Sequence, residues 1–137
     1  METSKRILVV DDDSALVDVI GYYLKDSGYR YLACSTVAEA GFKQRNELFA
    51  CIILDFNLSQ ETCERLIDMI RIRFGQNEFT PIIILSGSLS SEAVELIRLK
   101  VNSVLVKPVK KEVLNLKVSE LIKQYEQAFP AKKSLYQ

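Results

Sequence analysis

Four short apolar runs, each followed at once by a polar residue, constrain the fold of this chain more than any other feature. Each run is rich in β-branched residues and is continuous rather than alternating, which is typical of strands covered on both faces of a parallel sheet. The runs cover residues 7–10, 51–54, 82–85 and 104–106. A weaker apolar run at 31–34 completes a set of five predicted strands.

Segments with the apolar period of an α-helix lie between the predicted strands. Ile20 and Leu24 share one face of a first helix, which we expect to stop at Gly28 because helices commonly end at a glycine. Thr36 and Glu39 form the pattern of a capping box that opens a second helix. Three more helices are predicted over residues 60–74, 91–100 and 111–127.

The alternation of strand and helix predicts an α/β fold: a doubly wound, five-stranded parallel sheet with helices on both faces. A chain of 137 residues is long enough for one such domain. We assign residues 1–128 to this domain. Residues 129–137 contain Pro130 and show no periodicity, so they are expected to form a C-terminal tail or the start of a linker.

The composition argues against several classes of partner and location. Lysine plus arginine equals aspartate plus glutamate and histidine is absent, so the net charge of zero argues against a nucleic acid or an anionic membrane as the main partner. Cys34, Cys51 and Cys63 form no CxxC pair and are expected to be reduced residues in or near the core. The first residues are too polar for a signal peptide, and no run reaches the roughly 20 apolar residues of a membrane span. A cytoplasmic location is therefore expected.

Polar side chains follow four of the predicted strands, at the point where each strand ends. Asp11, Asp12 and Asp13 follow the first strand, Asp55 the third, Ser86 with Gly87 the fourth, and Lys107 with Pro108 the fifth. In an open α/β sheet, ligands bind beyond the carboxyl ends of the strands, near the point where the strand order reverses. These side chains are therefore expected to converge on one cleft.

The residue types in this cleft suit phosphoryl transfer with a hard metal ion. Several carboxylates crowded together cannot all stay ionised without a cation, because like charges raise each other's pKa. Oxygen ligands without histidine or thiolate suit Mg²⁺. Asp55 is then a candidate nucleophile that forms an acyl phosphate. Mg²⁺, the ammonium of Lys107 and the hydroxyl of Ser86 are expected to meet the negative charge of the transferred group.

Together, the strand-end motifs resemble those of the response-regulator receiver family of two-component and phosphorelay systems. The resemblance covers about residues 5–127 and rests on the Ile-Leu-Val-Val-Asp-Asp-Asp run at 7–13, the apolar run into Asp55, Ser86–Gly87 and Val106–Lys107–Pro108. It implies a flavodoxin-like strand order, 2-1-3-4-5. It also implies that Asp55 accepts a phosphoryl group from phosphohistidine on a histidine kinase or a histidine phosphotransfer protein.

By the same resemblance, Mg²⁺ ligands are assigned at the ends of the first and third strands. Asp12 and Asp55 are expected to bind the ion directly, Asp11 is expected to act largely through water, and Asn57 is expected to supply its backbone carbonyl. The run of three aspartates allows two registers for the acidic pair. The first two are preferred because they follow the strand directly.

The resemblance also implies how such a domain signals. Ser86 takes the position of a Ser/Thr switch, Lys107 takes that of the family's lysine, and the Lys107–Pro108 bond is expected to be cis. The domain is expected to catalyse only its own phosphorylation and dephosphorylation, and so to be no enzyme for a separate substrate. Its output is expected to be contact with a downstream protein, without direct binding of nucleic acid or membrane. A homodimer through the fourth and fifth helices is a candidate contact.

Three positions depart from the family pattern. Ser59 and Cys63 stand where the family usually has a proline and a glycine, and Ser59 is expected to cap a third helix that begins at about that residue. Val104 replaces the aromatic residue whose rotation usually follows the switch. Because valine has one short, stiff side-chain torsion, it cannot swing in the same way. These changes affect the expected switching mechanism and leave the acceptor chemistry unaltered.

Other functions fit parts of the pattern. A degenerate receiver that binds its partner irrespective of phosphate is favoured by the three departures and opposed by the intact set of acids, hydroxyl and lysine. A haloacid-dehalogenase-like phosphatase also uses Asp, Ser/Thr, Lys and Mg²⁺, but its nucleophile follows the first strand, and no acidic strand-terminal motif follows Lys107 here. Residues 11–13 also fit a simpler role as acidic caps of the first helix.

Overall fold

The computed structural model describes residues 5–58, 61–88 and 92–133. In these parts of the chain, five strands form one sheet: β1 (Arg6–Val10), β2 (Arg30–Cys34), β3 (Cys51–Asp55), β4 (Ile82–Ser86) and β5 (Ser103–Val106). The helices are α1 (Ser14–Asp26), α2 (Val37–Asn46), α3 (Glu64–Ile70), α4 (Glu92–Ile97), α5 (Lys111–Ala128) and α6 (Pro130–Lys133). A 3-10 turn at Arg98–Lys100 extends α4, and a small antiparallel hairpin pairs Asn57–Leu58 with Glu61–Thr62.

All neighbouring strands of the five-stranded sheet are parallel, in the order β2-β1-β3-β4-β5. This is the predicted order, so the predicted fold class is confirmed. The register aligns Val10 with Leu54 and Asp55 with Leu85. The carboxyl ends of β1, β3 and β4 therefore reach the same edge of the sheet, at the place where the strand order reverses.

Helices cover both faces of the sheet and create two apolar layers. On one face, α2, α3 and α4 pack on the strands, and Leu8, Ile52 and Ile84 are fully buried beneath them. On the other face, α1 and α5 pack on alternate strand residues such as Ile53 and Leu85. Because successive strand residues point to opposite faces, the continuous apolar runs of the sequence supply both layers.

The third helix begins later and ends earlier than predicted, so its predicted bounds are wrong. α3 covers only Glu64–Ile70. The hairpin takes up the chain before it, where the Cys63 N–H donates a hydrogen bond to the Phe56 carbonyl oxygen at 2.9 Å. Cys63 is the N-cap of α3, since its carbonyl oxygen accepts the first helical hydrogen bond, from the Ile67 N–H at 3.0 Å. At the other end, Phe74 has a φ of 67°, a left-handed conformation that an α-helix cannot contain. Ser59, the predicted N-cap, lies outside the described residues.

Other predicted boundaries agree more closely with the structure. Gly28, with a φ of 86°, lies directly after the C-cap of α1, as expected for a glycine that ends a helix. The Thr36 hydroxyl oxygen accepts a hydrogen bond from the Glu39 N–H at 3.1 Å and caps α2. The fourth helix is shorter than predicted because the chain tightens into the 3-10 turn after Ile97. Ser91, its predicted first residue, lies outside the described residues.

Phe129, the first residue after the predicted domain, packs against the rest of the fold. Its ring centroid lies 5.0 Å from that of Phe79 and 5.1 Å from that of Tyr125. The packed part of the chain therefore reaches past the end of α5. The division of the chain at residue 128 stays a prediction.

The cysteines and the hydropathy of the helices agree with the composition. Cys34, Cys51 and Cys63 are buried and free, as predicted. Within the described ranges, none of the helices has the length and apolar character that crossing a membrane requires.

Candidate functional site

Four strands deliver the predicted site residues to one edge of the sheet. Asp55 is the last residue of β3 and Ser86 the last of β4, while Asp11 and Lys107 each follow directly after a strand. The pairing of Ser86 with Val106 sets the neighbouring tips at the same level. The Lys107 N–H continues this pairing by donating a hydrogen bond to the Ser86 carbonyl oxygen at 2.8 Å. The sheet register thus brings an acid, a hydroxyl and an ammonium group together.

Three carboxylates form the acidic part of the site. One oxygen each from Asp11, Asp12 and Asp55 lies within 4.8 Å of the other two. Among the described residues, these three carboxylates are therefore close enough to share one cation. Asp11 and Asp55 are buried, with 3% and 8% of their surface exposed, whereas Asp12 is exposed. The cluster is therefore open to solvent on one side.

Lys107 partly neutralises this cluster. Its Nζ donates a hydrogen bond to Asp55 Oδ1 at 2.8 Å and lies 3.8 Å from Asp11 Oδ2. The side chain keeps 29% of its surface exposed, so water reaches the ammonium group. One lysine facing three carboxylates leaves the site with a net negative charge.

Asp11 shows that the site fits a further cation. Its Oδ1 accepts a hydrogen bond from the Asp13 N–H at 2.9 Å, but its Oδ2 is buried without a hydrogen-bond partner. Burial raises the pKa of Asp11 from 3.8 to about 6; the Asp13 N–H opposes this rise, Asp55 adds to it, and Lys107 opposes it. A buried carboxylate oxygen without a donor is costly unless a cation approaches it. An oxygen-only donor set of this kind suits Mg²⁺.

The Ser86 hydroxyl is buried and held by the loop that follows β4. Its Oγ donates a hydrogen bond to the Ser88 carbonyl oxygen at 2.7 Å and accepts one from the Ser88 N–H at 3.2 Å. Between them, Gly87 has open space where a β-carbon would lie. The Lys107–Pro108 bond is cis, as the resemblance implies.

The remaining predicted residues lie around this centre. The Asn57 N–H donates a long hydrogen bond to Asp55 Oδ1 at 3.4 Å from the start of the hairpin; the role expected for its carbonyl stays a prediction. Val104 is half-buried against the apolar layer of α2, α3 and α4. Cys63 is fully buried at the start of α3.

Asp13 was not assigned to the acidic pair, and the structure gives it a different role. Its Oδ1 accepts hydrogen bonds from the N–H groups of Ala15 at 3.1 Å and Leu16 at 3.2 Å, so it is the N-cap of α1. The helix-capping role considered for the three aspartates thus belongs to Asp13, while Asp11 and Asp12 face the cluster. The start of the helical period just after Asp13 was the sequence signal for this cap.

Comparison with known proteins agrees with this geometry. The family model of the response regulator receiver domain matches residues 7–119. The alginate biosynthesis transcriptional regulatory protein AlgB of Pseudomonas syringae pv. tomato is 29% identical over 115 residues, which cover 84% of this chain and 25% of that protein. The chain therefore spans about a quarter of the length of this curated relative.

Solved structures share the fold over almost their whole length. The CheY-like response regulator receiver domain protein from Methanospirillum hungatei JF-1 has a TM-score of 0.82 and 27% identity, with 90% of this chain and 98% of that chain covered. The receiver domain of the sensor histidine kinase PA1611 from Pseudomonas aeruginosa PAO1 has a TM-score of 0.80 and 23% identity, with coverage of 87% and 98%; its structure has a magnesium ion coordinated in the active site cleft.

Receiver domains of two-component systems are signalling modules rather than classical enzymes, and they interact with histidine kinases and downstream targets. The sheet order, the groups gathered at the strand ends and the match over residues 7–119 lead to one assignment. The chain belongs to the response regulator receiver domain family.

Proposed function

We propose that this chain accepts a phosphoryl group on Asp55 and signals through the change that follows. The observation that carries this proposal is the Lys107 ammonium group, 2.8 Å from Asp55 Oδ1 inside a cluster of three carboxylates. A nucleophilic carboxylate at a strand end, with a cation beside it, is suited to attack on a phosphorus atom that carries negative oxygens.

The proposed transfer is a single displacement. An Asp55 carboxylate oxygen attacks the phosphorus of phosphohistidine, and the phosphorus–nitrogen bond breaks. The imidazole leaves with the electron pair and takes up a proton from water, and Asp55 becomes an acyl phosphate. Lys107 stays beside the transferred group, and the Ser86 hydroxyl exchanges the Ser88 carbonyl for a phosphoryl oxygen.

Four residues of the chain would hold Mg²⁺ in this proposal. Asp12 and Asp55 would bind it directly, Asp11 largely through water, and Asn57 through its backbone carbonyl. When bound, the ion would neutralise negative charge on the transferred phosphoryl group. The buried, unpaired Oδ2 of Asp11 supports a cation here.

The proposed partners are a phosphorylated histidine kinase or histidine phosphotransfer protein upstream and a protein target downstream, in the cytoplasm. No action on a separate substrate and no direct contact with nucleic acid or membrane is proposed. Homodimerisation through α4 and α5 is a candidate for the output contact. It is supported by Leu96 on α4 and by Val113 and Leu116 on α5, which are apolar yet 71%, 48% and 62% exposed.

Gel electrophoresis with a phosphate-binding additive tests the acceptor. After incubation with acetyl phosphate and Mg²⁺, the wild-type chain should give a retarded band that disappears in EDTA and in Asp55→Ala. Asp68 is an exposed carboxylate on α3 that pairs with Lys100, away from the site, so Asp68→Ala should keep the shift. A shift that survives Asp55→Ala would contradict the proposal. An unshifted wild type would favour the degenerate receiver, which binds its partner irrespective of phosphate.

A further inference from the structure

Asp13 connects the first helix to the acidic cluster without belonging to that cluster. The carboxylates that lie within 4.8 Å of one another are those of Asp11, Asp12 and Asp55. The Asp13 side chain points to the helix instead, where its Oδ1 accepts the two N–H hydrogen bonds that cap α1. Asp13 is therefore no direct ligand of a cation held by the cluster.

The backbone of the same residue holds Asp11. The Asp13 N–H donates to Asp11 Oδ1 at 2.9 Å, while the buried Asp11 Oδ2 has no hydrogen-bond partner and lies 3.8 Å from Lys107 Nζ. Of the two Asp11 oxygens, the one bound by the Asp13 N–H is Oδ1, and the one without a partner is Oδ2. The rotation of the Asp11 carboxylate thus depends on where the Asp13 amide lies.

The two contacts of Asp13 act in series. Its carboxylate is bound to helix amides and its φ and ψ are −88° and 100°, so the cap fixes the turn between β1 and α1. The conformation of this turn then fixes the position of the Asp13 N–H, which donates to Asp11. The first turn of α1 contains no acidic residue, so no neighbouring carboxylate in it takes over the cap.

We propose that Asp13 is a positioning residue for the proposed magnesium site: its side chain anchors the β1–α1 turn, and its N–H orients Asp11 so that one oxygen faces the cation. This inference rests on the proposed function. Residues that orient metal ligands commonly change metal affinity by about 10-fold to 100-fold when they are removed. Asp13 is exposed, so it can be changed without opening the core.

The test is an NMR titration of the full chain with magnesium chloride, run beside a thermal melt in EDTA. Asp13→Ala should weaken Mg²⁺ binding by about tenfold. Asp13→Asn keeps a good cap without the charge and should restore the affinity to within about twofold of wild type. This rescue separates positioning from long-range attraction, because Asp13→Asn and Asp13→Ala lose the same charge.

Thr36→Ala is the matched control, since Thr36 caps α2 through a single hydrogen bond to the Glu39 N–H. It should lower the melting temperature yet leave Mg²⁺ affinity within about twofold of wild type. If Asp13→Ala does not fold, Asp13→Gly replaces it, because glycine at a cap costs little stability, and the same loss of affinity is expected.

Three results would overturn the inference: wild-type affinity in the Ala or Gly variant, no rescue by Asp13→Asn, or an equal loss of affinity in Thr36→Ala. A wild-type chain that binds no Mg²⁺ would overturn the proposed site and this inference together. If the wild type binds Mg²⁺ and Asp55→Asn does not, while Asp13→Ala binds normally, only the role of Asp13 is refuted.

Discussion

Lys107 and Asp11 experience the electrostatics of the site in opposite ways. The ammonium group of Lys107 has carboxylate partners and contact with water, whereas Asp11 is almost entirely buried and has a donor for only one of its oxygens. At the residue scale, Lys107 is therefore expected to contribute mainly to phosphoryl transfer, whereas the buried Asp11 carboxylate is expected to lower the stability of the fold.

Replacing Lys107 by methionine should slow phosphorylation far more than it affects metal binding. The ammonium faces the charge of the transferred group, and loss of one such donor costs about a hundredfold in rate. Mg²⁺ should bind at least as tightly, because a competing cation has left Asp55. The time course of the gel shift with acetyl phosphate and an NMR titration with Mg²⁺ measure the two effects. Lys110→Met, which changes an exposed lysine nearby, should alter neither. Loss of Mg²⁺ binding in Lys107→Met would contradict this assignment.

Asp11→Asn should stabilise the protein when Mg²⁺ is absent. The pKa of Asp11 is raised from 3.8 to about 6, mainly by burial. The pKa of Asp11 is thus higher in the folded chain than in the unfolded chain. Its contribution to the stability of the wild type is fully present below about pH 4 and is lost as the pH rises through about 6. In EDTA at about pH 7.5 the variant should therefore melt roughly 6–10 °C above wild type.

The difference should shrink at about pH 5, where wild-type Asp11 is itself largely protonated. Thermal melts followed by circular dichroism check both conditions, and the exposed change Asp68→Asn should show no such pH-dependent gain. A variant less stable than wild type at the higher pH would show that Asp11 is better satisfied than its geometry indicates.

At the scale of elements, the loop before β4 is held by one buried amide. Asn77 is fully buried; its Nδ2 donates to the carbonyl oxygens of Gln44 at 2.6 Å and Glu47 at 2.8 Å, and its Oδ1 accepts from the Phe49 N–H and the Thr80 hydroxyl, both at 2.9 Å. Every hydrogen-bonding position of this side chain is used. It joins the end of α2 to the start of β4.

Asn77→Ala should lower the free energy of unfolding by about 3 kcal/mol, because it leaves buried backbone groups without partners. Urea denaturation measures the change. The control is Asn46→Ala, which removes an exposed asparagine bound to the Phe42 carbonyl oxygen and should cost less than about 0.5 kcal/mol. Equal costs for the two variants would show that burial of this network adds nothing.

The element scale is also where the sequence predicted least well. Apolar runs and the Thr36 cap predicted the strands and α2, because periodicity and capping are local signals. The hairpin after β3 depends on strand pairing and on the hydrogen bond from Cys63 to Phe56, which a helical period does not encode. The left-handed conformation of Phe74 was equally hidden, since glycine is the usual residue there.

For the site itself, the sequence predicted which residues meet but not how their atoms are arranged. Parallel strands with polar ends must bring Asp11, Asp55 and Lys107 to one edge, whatever the loops do. Which oxygen of Asp11 is unpaired, and that the Ser86 hydroxyl binds Ser88, depend on torsions set by the turns. Such details follow from the folded backbone and have no period in the sequence.

At the scale of the whole molecule, each of the two apolar layers contains a cysteine, so the reactivity of the thiols can detect opening of either layer. Cys34 and Cys63 lie in the layer of α2, α3 and α4, and Cys51 lies in the layer of α1 and α5. Burial raises the pKa of all three thiols to about 12. At about pH 8 roughly one thiol in ten thousand is ionised, so the native chain should resist alkylation.

Labelling with a chromogenic disulfide reagent at about pH 8 should find no rapidly reacting thiol in the native chain and three in guanidinium. The slow native reaction should need opening of the fold, and Asn77→Ala should accelerate it at all three positions. A single fast thiol in the native chain would show that one layer opens separately from the other.

The hydrogen bond from the Lys107 N–H to the Ser86 carbonyl oxygen links the carboxyl ends of β4 and β5. The hydroxyl and the ammonium group therefore share a backbone frame, and a tilt of β4 carries both groups together. They can part only by turning their own side chains. A spectroscopic label on the backbone at either strand end would thus report the same movement. Only the side-chain torsions would distinguish the hydroxyl from the ammonium group.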